Sequence, residues 1–152
     1  IGLYYAQPLT EKNVKVKLSD VSVKDWKTVG MPAEAANAID GDPQTVWTAK
    51  ALTPLVVDMG KASEVIGFSY APAQKEDLTG TIYKYNFYVS IDGKNWTKCD
   101  ASGEFSNIMH NPVPYFVRFG KKYPARYFKL EPAAEINNKP ATTVGEVGIL
   151  LK

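Results

Sequence analysis

The chain has 152 residues, 45% apolar and 22% charged, with a net charge of +2, ordinary values for one globular domain. The balanced charge excludes the basic footprint of a nucleic-acid binder. One His and one Cys exclude a disulfide framework, a Cys₄ or Cys₂His₂ zinc site and a paired-thiol redox motif.

Ile1-Gly2-Leu3-Tyr4-Tyr5 echoes Val147-Gly148-Ile149-Leu150-Leu151, a branched aliphatic, a glycine and three apolar residues. The echo fits the last strand of a preceding, similar module. Residues 1–23 are therefore expected to be that strand plus a linker, with Val14–Leu18 as its ordered part, and residues 24–152 the module itself. Ile1–Pro8 lacks the charged and apolar regions of a signal peptide, and no apolar run reaches the ~18 residues of a membrane span. Pro32–Asn37 is the one short helical stretch.

From there the pattern is strands and turns. Leu55–Asp58, Val65–Tyr70, Tyr83–Ile91, Trp96–Cys99, Tyr115–Phe119, Arg126–Leu130 and Val147–Leu151 are β-branched or aromatic runs. Met59-Gly60-Lys61, Gly103 and Gly120-Lys121 read as turns, and Asp92-Gly93 between two runs is the strongest hairpin signal. Short strands with turn signals every ~8–12 residues predict an all-β antiparallel sandwich or barrel. The aromatic residues, 12% of the chain, then fill the space between the sheets.

Ala38-Ile39-Asp40-Gly41-Asp42-Pro43-Gln44-Thr45-Val46-Trp47 is the most informative segment. Two carboxylates at alternate positions, a glycine, a proline and a hydroxyl put hard oxygen ligands on a tight loop, which suits Ca²⁺. It is no EF-hand: Thr45 stands where loop position six needs glycine, and Ala51 where position twelve needs glutamate. An Asp/Gly/Pro turn with Trp47 in the core is the other reading. Catalytic constellations are weak. His110 is the only imidazole and sits in a loop. Glu64, Glu76, Asp77, Glu104, Glu131, Glu135 and Glu146 offer no singled-out carboxylate pair, and no phosphate-binding glycine loop occurs.

The order of motifs resembles a known family. Ala38-Ile39-Asp40-Gly41-Asp42 with Thr45 and Trp47 comes first, then Val57-Asp58-Met59-Gly60 and Gly67-Phe68-Ser69-Tyr70-Ala71-Pro72. Ser90-Ile91-Asp92-Gly93-Lys94-Asn95-Trp96, Ala125-Arg126-Tyr127-Phe128-Lys129-Leu130 and Gly145-Glu146-Val147 follow. Together they resemble the discoidin, or coagulation factor 5/8 type C, domain, and within it the family 32 carbohydrate-binding modules, over residues 24–152. Gly103–Ile108 followed by Asn111-Pro112 is similar to C-terminal modules of bacterial α-L-fucosidases and hexosaminidases of the chitobiase type.

The resemblance implies an eight-stranded antiparallel jelly-roll β-sandwich, galactose-binding-domain-like, with a structural Ca²⁺. Its oxygens would come from Asn37 (carbonyl), Asp40, Asp42, Thr45 and Glu146. It further implies a non-catalytic accessory module, monomeric, on a secreted, periplasmic or cell-surface bacterial glycoside hydrolase. Its partners would be glycan and the adjacent catalytic domain, without nucleic acid or a membrane span.

Family members that hold galactose-type sugars often use a His after the motif Trp, an Arg after Tyr-x-Pro, a following Asn and an aromatic platform before the last strand. The chain has Thr48, Ala73, Asp77-Leu78-Thr79 and Ile136-Asn137-Asn138-Lys139 there. The candidate sugar contacts are therefore other loop residues, Thr48, Lys50, Gln74, Lys75, Asp77, Asn137 and Asn138, with His110 and Asn107 weaker. A structural spacer without ligand is the alternative. A lipid- or protein-binding discoidin module would carry a terminal disulfide, which one cysteine cannot form.

Overall fold

A computed structural model describes residues 17–42, 44–74, 77–100, 103–106, 108–110 and 112–151. The expected strand at Ile1–Tyr5 and most of the ordered stretch at Val14–Leu18 lie outside the described residues, as do Lys75 and Asn107.

Eight strands occur among the described residues: β1 (Lys27–Thr28), β2 (Trp47–Ala49), β3 (Leu55–Ala71), β4 (Ile82–Ser90), β5 (Thr97–Lys98), β6 (Tyr115–Glu135), β7 (Thr142–Val144) and β8 (Glu146–Leu150). The short helical stretch is a 3₁₀ helix, Ala33–Ala38. All strand pairs are antiparallel, and the architecture is the jelly-roll sandwich.

Two long strands build both layers. The first part of β3, Leu55–Asp58, pairs with Tyr127–Leu130 of β6, while its second part, Gly67–Tyr70, pairs with Tyr115–Arg118. β1, β4 and β5 extend the first layer, and β8 flanks Gly67–Ala71 in the second. The register slips between Asp58 and Ser63 and between Val65 and Gly67. Bulges of this kind bend a strand from one sheet to the other. Met59-Gly60-Lys61 and Gly120-Lys121 therefore do not reverse the chain as the sequence suggested. They sit at the corners where β3 and β6 change layer. Gly60 takes φ +86° there, and its N–H is held by Asp58 Oδ1 at 2.8 Å. The opposite oxygen of Asp58 receives Arg126 Nη2 at 3.0 Å, and Oδ1 also receives Nε at 2.9 Å.

Period-two alternation explains what lies between the layers. Tyr85, Phe87 and Val89 of β4, Phe128 and Leu130 of β6, and Phe68 and Tyr70 of β3 are buried. Phe68 stacks on Phe87 across the sandwich, centroids 4.1 Å apart and 3° from parallel. Phe105 stacks on Tyr70 at 4.9 Å and on Tyr85 at 4.5 Å. Each such pair contributes about 0.5–1.5 kcal/mol beyond its buried area, so the aromatic excess serves the core.

The Asp92-Gly93 hairpin forms between β4 and β5, with Tyr88 opposite Lys98. Its loop is longer than the dipeptide alone implies because Asp92 Oδ1 receives the N–H groups of Lys94 and Asn95, both at 2.8 Å. These donors hold the Asp92 carboxyl far below its ordinary range. On the other layer, residues 18–20 cross β8. Asp20 N–H donates to Ile149 O at 2.7 Å and Leu151 N–H to Asp20 Oδ2 at 2.8 Å. Ser69 Oγ donates to Leu18 O at 2.6 Å. A Cβ on Gly148 would stand 1.9 Å from Leu18 O, so only glycine admits this crossing.

Candidate functional site

The acidic loop leaves the 3₁₀ helix at Asn37. Carbonyls in the last turn of a helix lack an internal acceptor role, and the Asn37 carbonyl is turned into the loop. The Asn37 amide closes the loop by donating to Val46 O at 3.1 Å. Gly41, at φ +81°, aims its N–H at Glu146 Oε2, 2.8 Å away. A side chain at this position would be strained, which accounts for the Asp-Gly-Asp spacing.

The oxygens converge on Thr45. Its hydroxyl approaches Asp40 Oδ2, Asp42 O at 2.9 Å and Asn37 O at 3.3 Å. A hydroxyl carries one proton, so it can satisfy one of these three acceptors; Asp42 O also receives Thr45 N–H at 3.2 Å, and the other Asp40 oxygen receives Asp42 N–H at 2.9 Å. Asp42 contributes its main-chain carbonyl to the cluster, while its Oδ1 receives Gln44 N–H at 2.9 Å. Glu146, 2% exposed, has an Oε1 atom with no hydrogen-bond donor. Burial pushes its carboxyl up to about 8, and the nearby Asp40 and Asp42 carboxylates push the same way against the Gly41 N–H.

The loop thus holds more oxygen than protons, around a buried carboxylate left half unsatisfied. Among the described residues no three His, Cys, Asp or Glu side chains close to metal-holding spacing. A cation here would have to draw on the carbonyls and the hydroxyl as well as the carboxylates. That mixed set of hard oxygens fits Ca²⁺ rather than a transition metal.

A second constellation forms at the loops around β7. The β2–β7 pairing sets Thr48 opposite Thr143 and Ala49 opposite Thr142. Thr142 Oγ1 donates to Ala51 O at 2.8 Å and receives Thr53 N–H at 2.9 Å. Thr143 Oγ1 donates to Thr79 O at 3.0 Å, and its N–H to Gly80 O at 2.8 Å. Glu135, at the end of β6, accepts Asn137 N–H at 2.6 Å and Lys139 N–H at 2.9 Å on Oε1, and Gly80 N–H at 2.8 Å on Oε2.

Three connections are gathered in this way, residues 50–54, 77–81 and 136–141. Lys50, Asp77, Asn137 and Asn138 are exposed on them, whereas Thr48, expected on a loop, is exposed on β2. Asp77 Oδ1 receives Thr79 N–H at 2.9 Å, and Asn138 takes φ 60° at the turn tip, a conformation asparagine tolerates. Gln74 faces another neighbour, donating to Pro112 O at 3.2 Å beside the loop of the exposed His110.

Sequence reasoning missed two things here. It counted Glu135 among surface carboxylates, and it drew no distinction between the carboxylate and the carbonyl of Asp42. The cue for Glu135 was its place one residue before Ile136-Asn137-Asn138-Lys139, where a buried acceptor can collect the turn's N–H groups.

Several other titratable groups lie away from both loops. Glu131 Oε1 receives Asn86 Nδ2 at 3.0 Å and Tyr88 O–H at 3.3 Å, and Glu64 pairs with Lys122 at 3.7 Å. Cys99 is buried, and burial with help from Asp100 pushes its thiol up to about 12, far from a reactive thiolate. No helix among the described residues is long and apolar enough to cross a membrane.

Comparison with known proteins places these features in a wider group. The F5/8 type C domain profile matches residues 17–147. A galactose oxidase of Gibberella zeae is 29% identical over 143 residues, covering 86% of this chain and 20% of that protein. The chain therefore spans about a fifth of that curated relative's length. Among solved structures, CpGH89CBM32-5 from Clostridium perfringens, in complex with GalNAc-β-1,3-galactose, superposes with a TM-score of 0.73 at 22% identity, covering 86% of this chain and 99% of that one. A putative α-L-fucosidase from Bacteroides ovatus gives 0.69 at 35% identity, covering 98% of this chain and 22% of that one.

Proposed function

The chain belongs to the F5/8 type C domain family, and from that premise we propose that it is a carbohydrate-binding accessory module of a secreted bacterial glycoside hydrolase. It binds galactose-, N-acetylhexosamine- or fucose-type glycan weakly and keeps the enzyme near its substrate, without catalysing a reaction itself. One observation carries this reading: the exposed charged and amide side chains of Lys50, Asp77, Asn137 and Asn138 stand on three connections tied together around Thr142, Thr143 and Glu135, with the Thr48 hydroxyl exposed on the adjoining strand β2. A rigid frame under polar side chains lowers the ordering cost of gripping a hydroxyl-rich ligand. Likeness to a module solved with GalNAc-β-1,3-galactose supports the ligand class, and likeness to a segment of a fucosidase supports the setting.

With a few hydrogen bonds and no aromatic in the turn Ile136-Asn137-Asn138-Lys139, a single site would have a Kd of the order of a millimolar. Repeated modules would gain by avidity. Calorimetry and glycan-array screening with galactose, N-acetylglucosamine and fucose test the reading. Saturable binding that Asn137→Ala and Asn138→Gly each weaken supports it, and no response at tens of millimolar sugar, roughly ten times that Kd, overturns it. A second reading, a spacer that packs against its catalytic neighbour, is favoured by one observation: the turn Ile136-Asn137-Asn138-Lys139 carries no aromatic side chain to cover a pyranose ring.

The acidic loop holds a structural Ca²⁺ in this reading, liganded by the Asn37 and Asp42 carbonyls, the Thr45 hydroxyl, and the Asp40 and Glu146 carboxylates. The shortage of protons around Thr45 and the donorless Glu146 Oε1 support it.

A further inference from the structure

We propose that Glu135 is the positioning residue of the sugar-binding loops, a clamp that makes the 77–80 turn and the 136–139 turn move as one body. The inference rests on the carbohydrate reading for its purpose, and on geometry for its existence. Glu135 is 2% exposed, and the penalty for burying a carboxylate is relieved only by strong donors. Its two oxygens divide their donors between the two connections: Asn137 and Lys139 on one, Gly80 on the other. Among the described residues its hydrogen-bond partners are all main-chain N–H groups, and no Lys or Arg forms an ion pair with it. The carboxylate thus has a shape to hold rather than a charge to neutralise.

The neighbouring backbone reinforces the coupling. Ile136 N–H donates to Thr81 O at 3.1 Å, and Asn138 N–H to Glu135 O at 3.0 Å. Gly80 takes φ +93°, and a Cβ there would lie 2.2 Å from Thr143 Oγ1, so the direction of its N–H is fixed. The donors on the second turn belong to Asn137 and Lys139, whose side chains are exposed on either side of Asn138. Whatever grips these side chains presses on the same carboxylate that holds Gly80. Glutamine cannot replace it. With one oxygen and one NH₂ group, it sets a donor against a donor on one turn or the other.

Glu135→Gln in the full chain, labelled for NMR, is the test. The amide protons of Gly80, Asn137 and Lys139 should together lose the downfield shift of a carboxylate hydrogen bond and exchange about tenfold faster or more, the loss of one charged contact. The amides of Phe87 and Phe128 should stay as they are. In sugar titrations the wild type should move amides of both turns along one binding curve, and the variant should bind about tenfold more weakly. Release of one turn alone, or unchanged affinity in the variant, overturns the clamp.

Should the variant fail to fold, native-state exchange of the wild type decides. The three amides should share one opening free energy, and a spread of more than about tenfold after correction for intrinsic rates overturns the proposal. A wild type that binds no sugar counts against the carbohydrate reading, and the exchange data still judge the clamp.

Discussion

Glu146 and Glu135 are both 2% exposed, and both stand at the end of a β-strand. Their surroundings differ. Glu135 receives three backbone N–H groups, spread over both oxygens. Glu146 receives one, from Gly41, and its other oxygen has none. A buried carboxylate is stable when its lone pairs are met by donors, and costly when they are not. The first is finished by the chain's own backbone and acts as a hub. The second is unfinished, beside the acidic groups of Asp40 and Asp42, which is why we propose a cation there. Burial alone therefore does not separate a structural acid from a ligand. The count of protons around it does.

The comparison breaks most visibly under chelation. A calcium site held at 100 times its Kd contributes about 2.7 kcal/mol, which is about 5–10 °C in Tm for a chain of this length. Scanning calorimetry with and without EDTA should show that drop in the wild type and almost none in Asp40→Ala. An unchanged Tm in the wild type removes the calcium assignment.

The same contrast has a pH signature. An unfolded glutamate ionises near 4.5, and the folded, metal-free Glu146 near 8. Below about 4.5 both states keep the proton and no penalty exists. Between the two values the unfolded chain has released a proton that the folded chain retains, so stability falls as pH rises, and above 8 the penalty is complete. The chelated chain should therefore lose Tm from pH 4.5 to 8, and calcium should flatten the slope.

At the finished hub, Gly80→Ala forces an unfavourable φ and a clash on Thr143, costing about 1–3 kcal/mol from conformation alone, with or without EDTA. Back at the unfinished site, Thr45→Val removes one neutral member of the proposed ligand set. About a tenfold loss of calcium affinity, or about 1.4 kcal/mol of extra loss in calcium beyond the loss of its hydrogen bond in EDTA, is expected by calorimetry. Asn138→Gly is the mildest change. Glycine accepts the φ of 60°, so stability should hold within about 0.5 kcal/mol while sugar affinity, read by calorimetry, falls.

Much of this was legible in the residues. Alternation in Tyr83–Ile91 and Arg126–Leu130, the Asp92-Gly93 hairpin and the aromatic content were enough for a β-sandwich with an aromatic core. The corners at Gly60 and Gly120 were misread as chain reversals, because a glycine signals a special φ but not whether the strand resumes beside the same partner. The short β1, β2 and β7 carry two or three residues each, too few for any period to register, and their pairing is decided by contacts distant in sequence. Asp40, Asp42 and Thr45 stood out as oxygen donors within one decapeptide. Glu146 joined them only through the family resemblance, since it lies 105 residues from Gly41. Glu135 gave a local cue only to the turn that follows it, because its third donor, Gly80, lies 55 residues away and only the fold brings it there.

The crossing of residues 18–20 over Gly148 has a mechanical consequence. Residues 18–20 and the end of β8 are tied at one sheet edge, through Asp20 to Ile149 and Leu151. Tension between those two points is borne first by these few bonds, opened one after another as a seam is unpicked. The stacked rings of Phe68 and Phe87 feel none of it until the seam has parted. A module tethered at this edge would yield there at low force and keep its loops intact while it swings.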